Sequence, residues 1–374
     1  MSHFLQLHVL TFHPIANINR DETGRPKTVK IGNSERIRIS SQALKRALRT
    51  SDIFKSSLEG HLGHRTRRIG EEIVKRLVAD GVSEQAALAA ARTVAGAFGK
   101  VEGVEKPEKA GKGKAAKQAA APETAVPAAD LNLEQVRTNQ LVFVSDAEIA
   151  KATDAAAAIV RGEKVEPTAK SLFDRSRTAA DIAMFGRMIA DAPENNVDAA
   201  VQVAHAFTTH AAVAETDFFA AVDDWKTDEE DAGAGHLGTV GYGSGVFYTY
   251  VCVNRDLLVR NLGGDEQVAD TAVAAFVEAL ATVTPTGKQN TFASHARASF
   301  IRAEKGAQQP RTLGNAFAKP LAGDDILGGS VTAIRSAAAA MDKVYGRCAD
   351  HVVELDTTAG TGSLAEIVEF CRAA

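Results

Sequence analysis

Cysteine is scarce in this chain: three in 374 residues, at positions 252, 348 and 371. An odd and scattered set builds neither a disulfide framework nor a zinc site, and it fits a reducing, cytoplasmic setting. Long apolar runs are missing as well. No stretch approaches the roughly 20 apolar residues of a membrane span. The opening MSHFLQLHVLTFHP lacks the apolar core and small-residue cleavage site of a secretory signal. A soluble protein with no membrane partner is expected. Catalytic punctuation is thin too. The glycines of GYGSGV (Gly241, Gly243, Gly245) have no Gly-Lys-Ser/Thr after them and precede a strand. A phosphate loop needs its glycines after a strand and before a helix, so a flexible turn is the reading. Ten histidines are present, but none sits in a Ser-His-Asp or Cys-His motif. His61 and His64 have no Cys or carboxylate pair at metal-ligand spacing. Neither a metal nor another cofactor is expected.

Charge is present but lopsided. The whole chain carries −4 and a pI near 6.2, which does not announce a nucleic-acid partner. Residues 1–50 hold nine Lys and Arg against three acids, a net of +6, which leaves −10 for the rest. A basic face on an acidic protein steers polyanions, and the whole-chain pI hides it. The basic residues gather in ERIRISSQALKRALR, 35–49. Ile37 and Ile39 alternate with Arg36 and Arg38, the period of a strand with one buried face. Ser40 or Ser41 stands where a helix N-cap is wanted. Leu44, Ala47 and Leu48 then form an apolar stripe, with Gln42, Lys45, Arg46 and Arg49 opposite. Helix N-termini offer unpaired N–H groups to anions, so Arg36, Arg38, Lys45 and Arg46 around one suggest a phosphate cradle. The plain alternative is a solvated charged face.

Along the chain, 3–10 alternate as a first strand, and 13–34 form a long polar loop. Residues 65–98 read as helix. Residues 100–130 are rich in Lys, Ala, Pro and Gly without aromatics, the composition of a disordered insert. Residues 145–182 return to Ala-rich helix, so 60–182 form a helical lobe inserted into something else. The alternation at 197–209 puts Val201, Val203, His205 and Phe207 on one face of a strand. Residues 213–244 hold eight acids between Glu215 and Asp231 and the pair Phe218–Phe219, a projecting loop or hairpin. The paired aromatics either pack that loop back or serve as a wedge for bases or a partner. A strand at 245–254, a helix at 265–283, a strand at 297–304 and a helix at 330–345 follow. Without its insertions, this order suits an α+β sheet with helices on one face.

Several motifs together carry a family resemblance. HVLTFHP, NINRDETGRPK, RIRISSQALKRALR, FGRM, AHAFTTH, FFAAVDDW, HLGT, SGVFYTY, Lys288–Gln289–Asn290 and NAFAKP occur in order over most of the chain. The chain resembles the CasC-type backbone subunit of the type I-E CRISPR Cascade complex, of the repeat-associated RNA-binding (RAMP) superfamily. The coverage is weakest at about 80–175 and over the last 40 residues, and the insert at 100–130 departs from the family pattern. The resemblance implies an α+β fold with a modified RRM-like (ferredoxin-like) palm, an inserted helical finger domain and a projecting thumb. On it, 1–59, 183–212 and 243–374 are palm, 60–182 fingers with the 100–130 linker, and 213–242 thumb. It implies no catalysis. Copies polymerise along crRNA beside other Cascade subunits, and the guide pairs with target DNA. Carried over motif by motif, Arg20, Lys27, Ser40, Gln42, Lys45 and Arg46 hold guide phosphates, and Met188 and Phe219 bracket a displaced base. The chief rival is an RNA endonuclease that processes CRISPR repeats on a related palm, with His13, His205 or His210 as general base.

Overall fold

The computed structural model describes residues 3–101, 132–174, 179–190, 192–221 and 236–372. All of the 100–130 insert but Lys100 and Val101, and most of the acidic run, therefore lie outside the described residues. Two compact units divide the chain: one of Met1–His61, Ala183–Gly186 and Asp198–Ala374, the other of Leu62–Ile182 and Arg187–Val197.

The strands are β1 (Phe4–Ala16), β2 (Thr28–Ile31), β3 (Ser34–Ile39), β4 (Gly63–Thr66), β5 (Val142–Ser145), β6 (Val201–Val203), β7 (Ala206–Thr208), β8 (Glu215–Ala221), β9 (His236–Asn254), β10 (Ala298–Gly306) and β11 (His351–Asp356). The first unit holds a nine-stranded sheet in the order β11-β10-β1-β9-β7-β3-β2, with β6 and β8 also paired to β9. Every strand pairing in it is antiparallel. The mixed α/β class expected from the sequence is observed.

Helices cover both faces of the sheet, not one. Leu10, Tyr248 and Phe300 pack beneath the helix Ile326–Tyr345 through Val331, Ile334 and Ala338. On the other face Val9 and Thr11 share a small cavity with Leu44 and Leu48 and with Leu280 of the helix Glu266–Thr282. The physical reason lies in β1, whose Gln6 and His8 are as buried as Leu5, Leu7 and Val9. A Tyr250 hydroxyl donates to Gln6 at 2.8 Å, and Tyr248 meets His8 Nδ1 at 2.9 Å. Beside them Glu304 is fully buried between Arg302, at 2.6 Å, and Arg311. Desolvation would raise the Glu304 pKa, but hydrogen bonds from Arg311 and Arg302, with His8 Nε2 3.7 Å away, outweigh it and hold the carboxylate ionised. Polar letters on β1 therefore mark a paired interior network, not a wet face.

Two expectations fail here for reasons of register. From Val203, opposite Val251, to Phe207, opposite Tyr248, the 201–208 segment advances four residues against three on β9. That extra residue is a β-bulge, which reverses the facing of everything beyond it. Val201, Val203 and Ala206 are buried while Ala204 and His205 are exposed. The GYGSGV glycines are not a turn either; they lie inside β9. A Cβ on Gly243 would stand 2.2 Å from Ile37 Cδ1, and one on Gly245 would stand 2.7 Å from His210 Nε2. These glycines let neighbouring strands approach closely.

The second unit pairs β4 with β5 and packs the helices Ile69–Ala79, Glu84–Ala95 and Asp146–Val160 on an alanine-rich core. The read helix at 65–98 is two helices, broken at Gly81 with φ +87°. Ser145 and Glu148 form a capping box, and the same buried Glu148 meets Arg187 at 2.8 Å.

Burial of two histidines makes stability pH-dependent. Desolvation lowers His8, and it lowers His13 from 6.5 to about 4. The folded state thus binds fewer protons than the unfolded chain below pH 6.5. The stabilisation is complete above that value and is lost as pH falls towards 4, by about 2 kcal/mol from His13 alone at pH 5. Melting curves should show Tm falling from pH 7.5 to pH 5, with a shallower fall in His13→Gln. A flat Tm would place both imidazoles in water.

Candidate nucleic-acid interface

The basic segment folds as its pattern indicates. Ile37 and Ile39 are buried on β3, and Ser40 caps the helix α1 (Ser41–Thr50). The Ser40 Oγ accepts the Ala43 N–H at 3.3 Å, which leaves the hydroxyl proton free to donate. Gln42 and Arg46 are exposed on α1, and Lys45 is half-buried.

Arg36 departs from the cradle reading. It is wholly buried, and its guanidinium donates to the Thr208 carbonyl at 2.8 Å and the Phe317 carbonyl at 3.1 Å. Its side of the strand faces protein because β7 at Thr208 and the Phe317 turn meet it. Arg36 is an interior tie. Arg38 stays at the surface, with Nε donating to the Thr28 carbonyl at 3.1 Å.

The loop read over 13–34 is a latched arch. It begins as the end of β1 and finishes as the β2–β3 hairpin. Asn19 locks it to the helix terminus. Its Oδ1 accepts the Ser40 N–H at 2.8 Å, and its carbonyl accepts the Lys27 N–H at 2.9 Å. Asp21 Oδ1 accepts from the N–H and hydroxyl of Thr23 and from the Arg25 N–H, which closes the tip. Arg20 is exposed there. It lines a cleft of about 420 Å³ with Arg25, Thr216, Thr239 and Lys288. Lys288 has φ +54°, a left-handed conformation uncommon for a non-glycine residue, and a Cβ on Gly287 before it would meet the Ile18 carbonyl at 2.4 Å. Neither Asn19 nor the Lys288 conformation left a signal in composition or period.

Arg20, Lys27, Ser40, Gln42, Lys45 and Arg46 thus all belong to the arch and the first turns of α1. Phe219 lies elsewhere in this unit, on β8, every residue of which is exposed. It pairs with Gly238, over which its ring lies, and it tilts against His236 at 6.0 Å. Phe218 is on the opposite face of the hairpin and is 64% exposed. Met188 belongs to the second unit and is 82% exposed.

A family model described as CT1975-like protein matches residues 5–369. The chain belongs to the CT1975-like protein family. The CT1975-like chain is also similar to solved structures. One, from a "CRISPR RNA-guided surveillance complex, pre-nicking", is 32% identical with a TM-score of 0.76, covering 98% of this chain and 100% of that one. Another, from a "CRISPR RNA-guided surveillance complex", is 28% identical with a TM-score of 0.65, covering 99% and 100%. Among curated proteins none matches. The family model and the two likenesses bear out the resemblance to a CRISPR Cascade backbone subunit that the motifs carry. Among the described residues no helix is long and apolar enough to cross a membrane, and no His/Cys/Asp/Glu group could hold a metal.

Proposed function

We propose that this chain is a non-catalytic crRNA-binding backbone subunit of a type I-E CRISPR surveillance complex. The observation that carries the reading is the surface formed by the arch and α1. Lys27, Arg38, Lys45 and Arg46 stand around a capped helix terminus, and no carboxylate among the described residues forms an ion pair with any of them. Such a surface suits a phosphate backbone and reads no sequence. The likeness to chains of RNA-guided complexes over almost the whole length supports it.

In this reading the nine-stranded sheet is an RRM-like palm, the second unit is the fingers, and the β8–β9 hairpin is the thumb. Copies associate head to tail along the guide in the cytoplasm, beside other subunits of the complex. Met188 and Phe219 of neighbouring copies bracket a base that the thumb displaces, and an apolar wedge stacks on any base without preference. Pairing with target DNA is left to the guide. The absence of catalysis is supported by two of the three histidines an endonuclease would use. His13 is interior, and His210 has both ring nitrogens within hydrogen-bond distance of the backbone.

The purified protein should bind unrelated RNA sequences with equal affinity. The logarithm of affinity should fall linearly with log salt, by roughly 0.7 per phosphate contacted. A salt titration with two unrelated labelled RNAs checks this. Binding that ignores salt, or cleavage of repeat RNA without added metal, would overturn the reading.

A further inference from the structure

Beside the arch and α1 stands one basic group that neither motif nor composition assigned to that surface. His205 lies in the bulge between β6 and β7, and the bulge turns it out to solvent where uninterrupted alternation would have turned it in. Its Nδ1 is 3.1 Å from the Arg38 guanidinium. Arginine only donates, so this nitrogen accepts, and the imidazole proton of the neutral ring sits on Nε2. The charged groups acting on His205 come from three elements: Arg38 of β3, Lys27 of the arch and Lys45 of α1. All are cations. Four basic groups converge, and no acid among the described residues acts on His205, an arrangement that repels itself until an anion enters it.

We propose that His205 joins Lys27, Arg38 and Lys45 in one phosphodiester site, and that the imidazole takes up a proton when RNA binds there. The inference rests on the RNA-binding reading and adds to it a residue and a linkage. In the free protein, partial burial and then the three cations hold His205 below its ordinary pKa, so it is neutral at physiological pH. A phosphate oxygen at the site reverses the balance, because a nearby opposite charge favours the charged ring. Protons bound with the ligand strengthen its affinity as the pH falls. Each unit by which the phosphate raises the pKa is worth a factor of about ten across the titration window.

The experiment is anisotropy of the full chain with labelled oligouridine, whose bases do not titrate near neutrality, at constant ionic strength. From about pH 8 to about pH 6, parent affinity should rise about tenfold. In His205→Gln, which keeps a polar side chain but cannot titrate, the rise should shrink to less than about threefold, with affinity at pH 8 within about threefold of the parent. Protonation of other histidines affects both proteins, so the difference in slope isolates His205. Equal slopes in a parent and variant that both bind RNA would overturn the role of His205 and leave RNA binding intact. No RNA binding by the parent at either pH would overturn both. His205→Lys, a fixed positive charge, should bind at pH 8 at least as tightly as the parent and also lose the slope.

Discussion

Lys45→Ala combined with Arg46→Ala should weaken RNA binding by roughly ten- to a hundredfold near physiological salt and leave the melting temperature within a degree or two of the parent. Two lost phosphate contacts should also lower the salt slope by about 1.4, since each single-strand contact contributes roughly 0.7. The loss should be the same for unrelated RNA sequences, because these side chains can reach backbone but do not select bases. Stability should hold because Arg46 is exposed, Lys45 is half-buried, and alanine is the best helix former. Titrations at several salt concentrations, with circular dichroism melts of the same preparations, check both halves. An unchanged salt slope would remove these residues from the interface.

Arg36→Ala should do the opposite. It removes a wholly buried guanidinium that ties the Thr208 and Phe317 carbonyls to β3. Two buried acceptors would lose their partner and a cavity the size of the side chain would open. At about 1–3 kcal/mol for each unsatisfied group, the loss should reach ~3–5 kcal/mol. Tm should drop by several degrees, and the protein that remains folded should bind RNA with parental salt slope. Denaturant melts give the first quantity and binding normalised to folded protein the second. Arg36→Met fills part of the space and should recover a fraction of the stability without restoring the tie. If Arg36→Ala lowered the salt slope by as much as one phosphate, the residue would belong to the ligand surface after all.

Those two arginines, ten positions apart in one basic segment, show where sequence legibility ends. Period-2 alternation located β3, and the Ser40 cap with the Leu44–Leu48 stripe located α1, because each signal is local. Whether the second face of β3 meets water depends on a turn 281 residues away, at Phe317. No period in the segment records that. The same holds for 201–208, where alternation was read correctly until the bulge, a property of pairing with β9. It holds for Gly243 and Gly245, whose reason is the bulk of Ile37 and Thr208 on other strands and of His210 just beyond β7. In the candidate interface the basic side chains were legible as composition. Their arrangement was not, because the carbonyl and amide of Asn19 set it, and asparagine in a loop looks like any other turn residue.

The long strand β9 has a mechanical meaning. It is a single unbroken strand of 19 residues, His236–Asn254. At about 3.3 Å per residue it measures roughly 60 Å. Its inner part is fixed against β1 along the sheet, and its outer part carries β8 with Phe218 and Phe219. The hairpin is therefore a cantilever clamped in the core. Phe218 and Phe219 are held at a reach set by backbone hydrogen bonds, as on a ruler, and a push on either is felt as torque within the sheet.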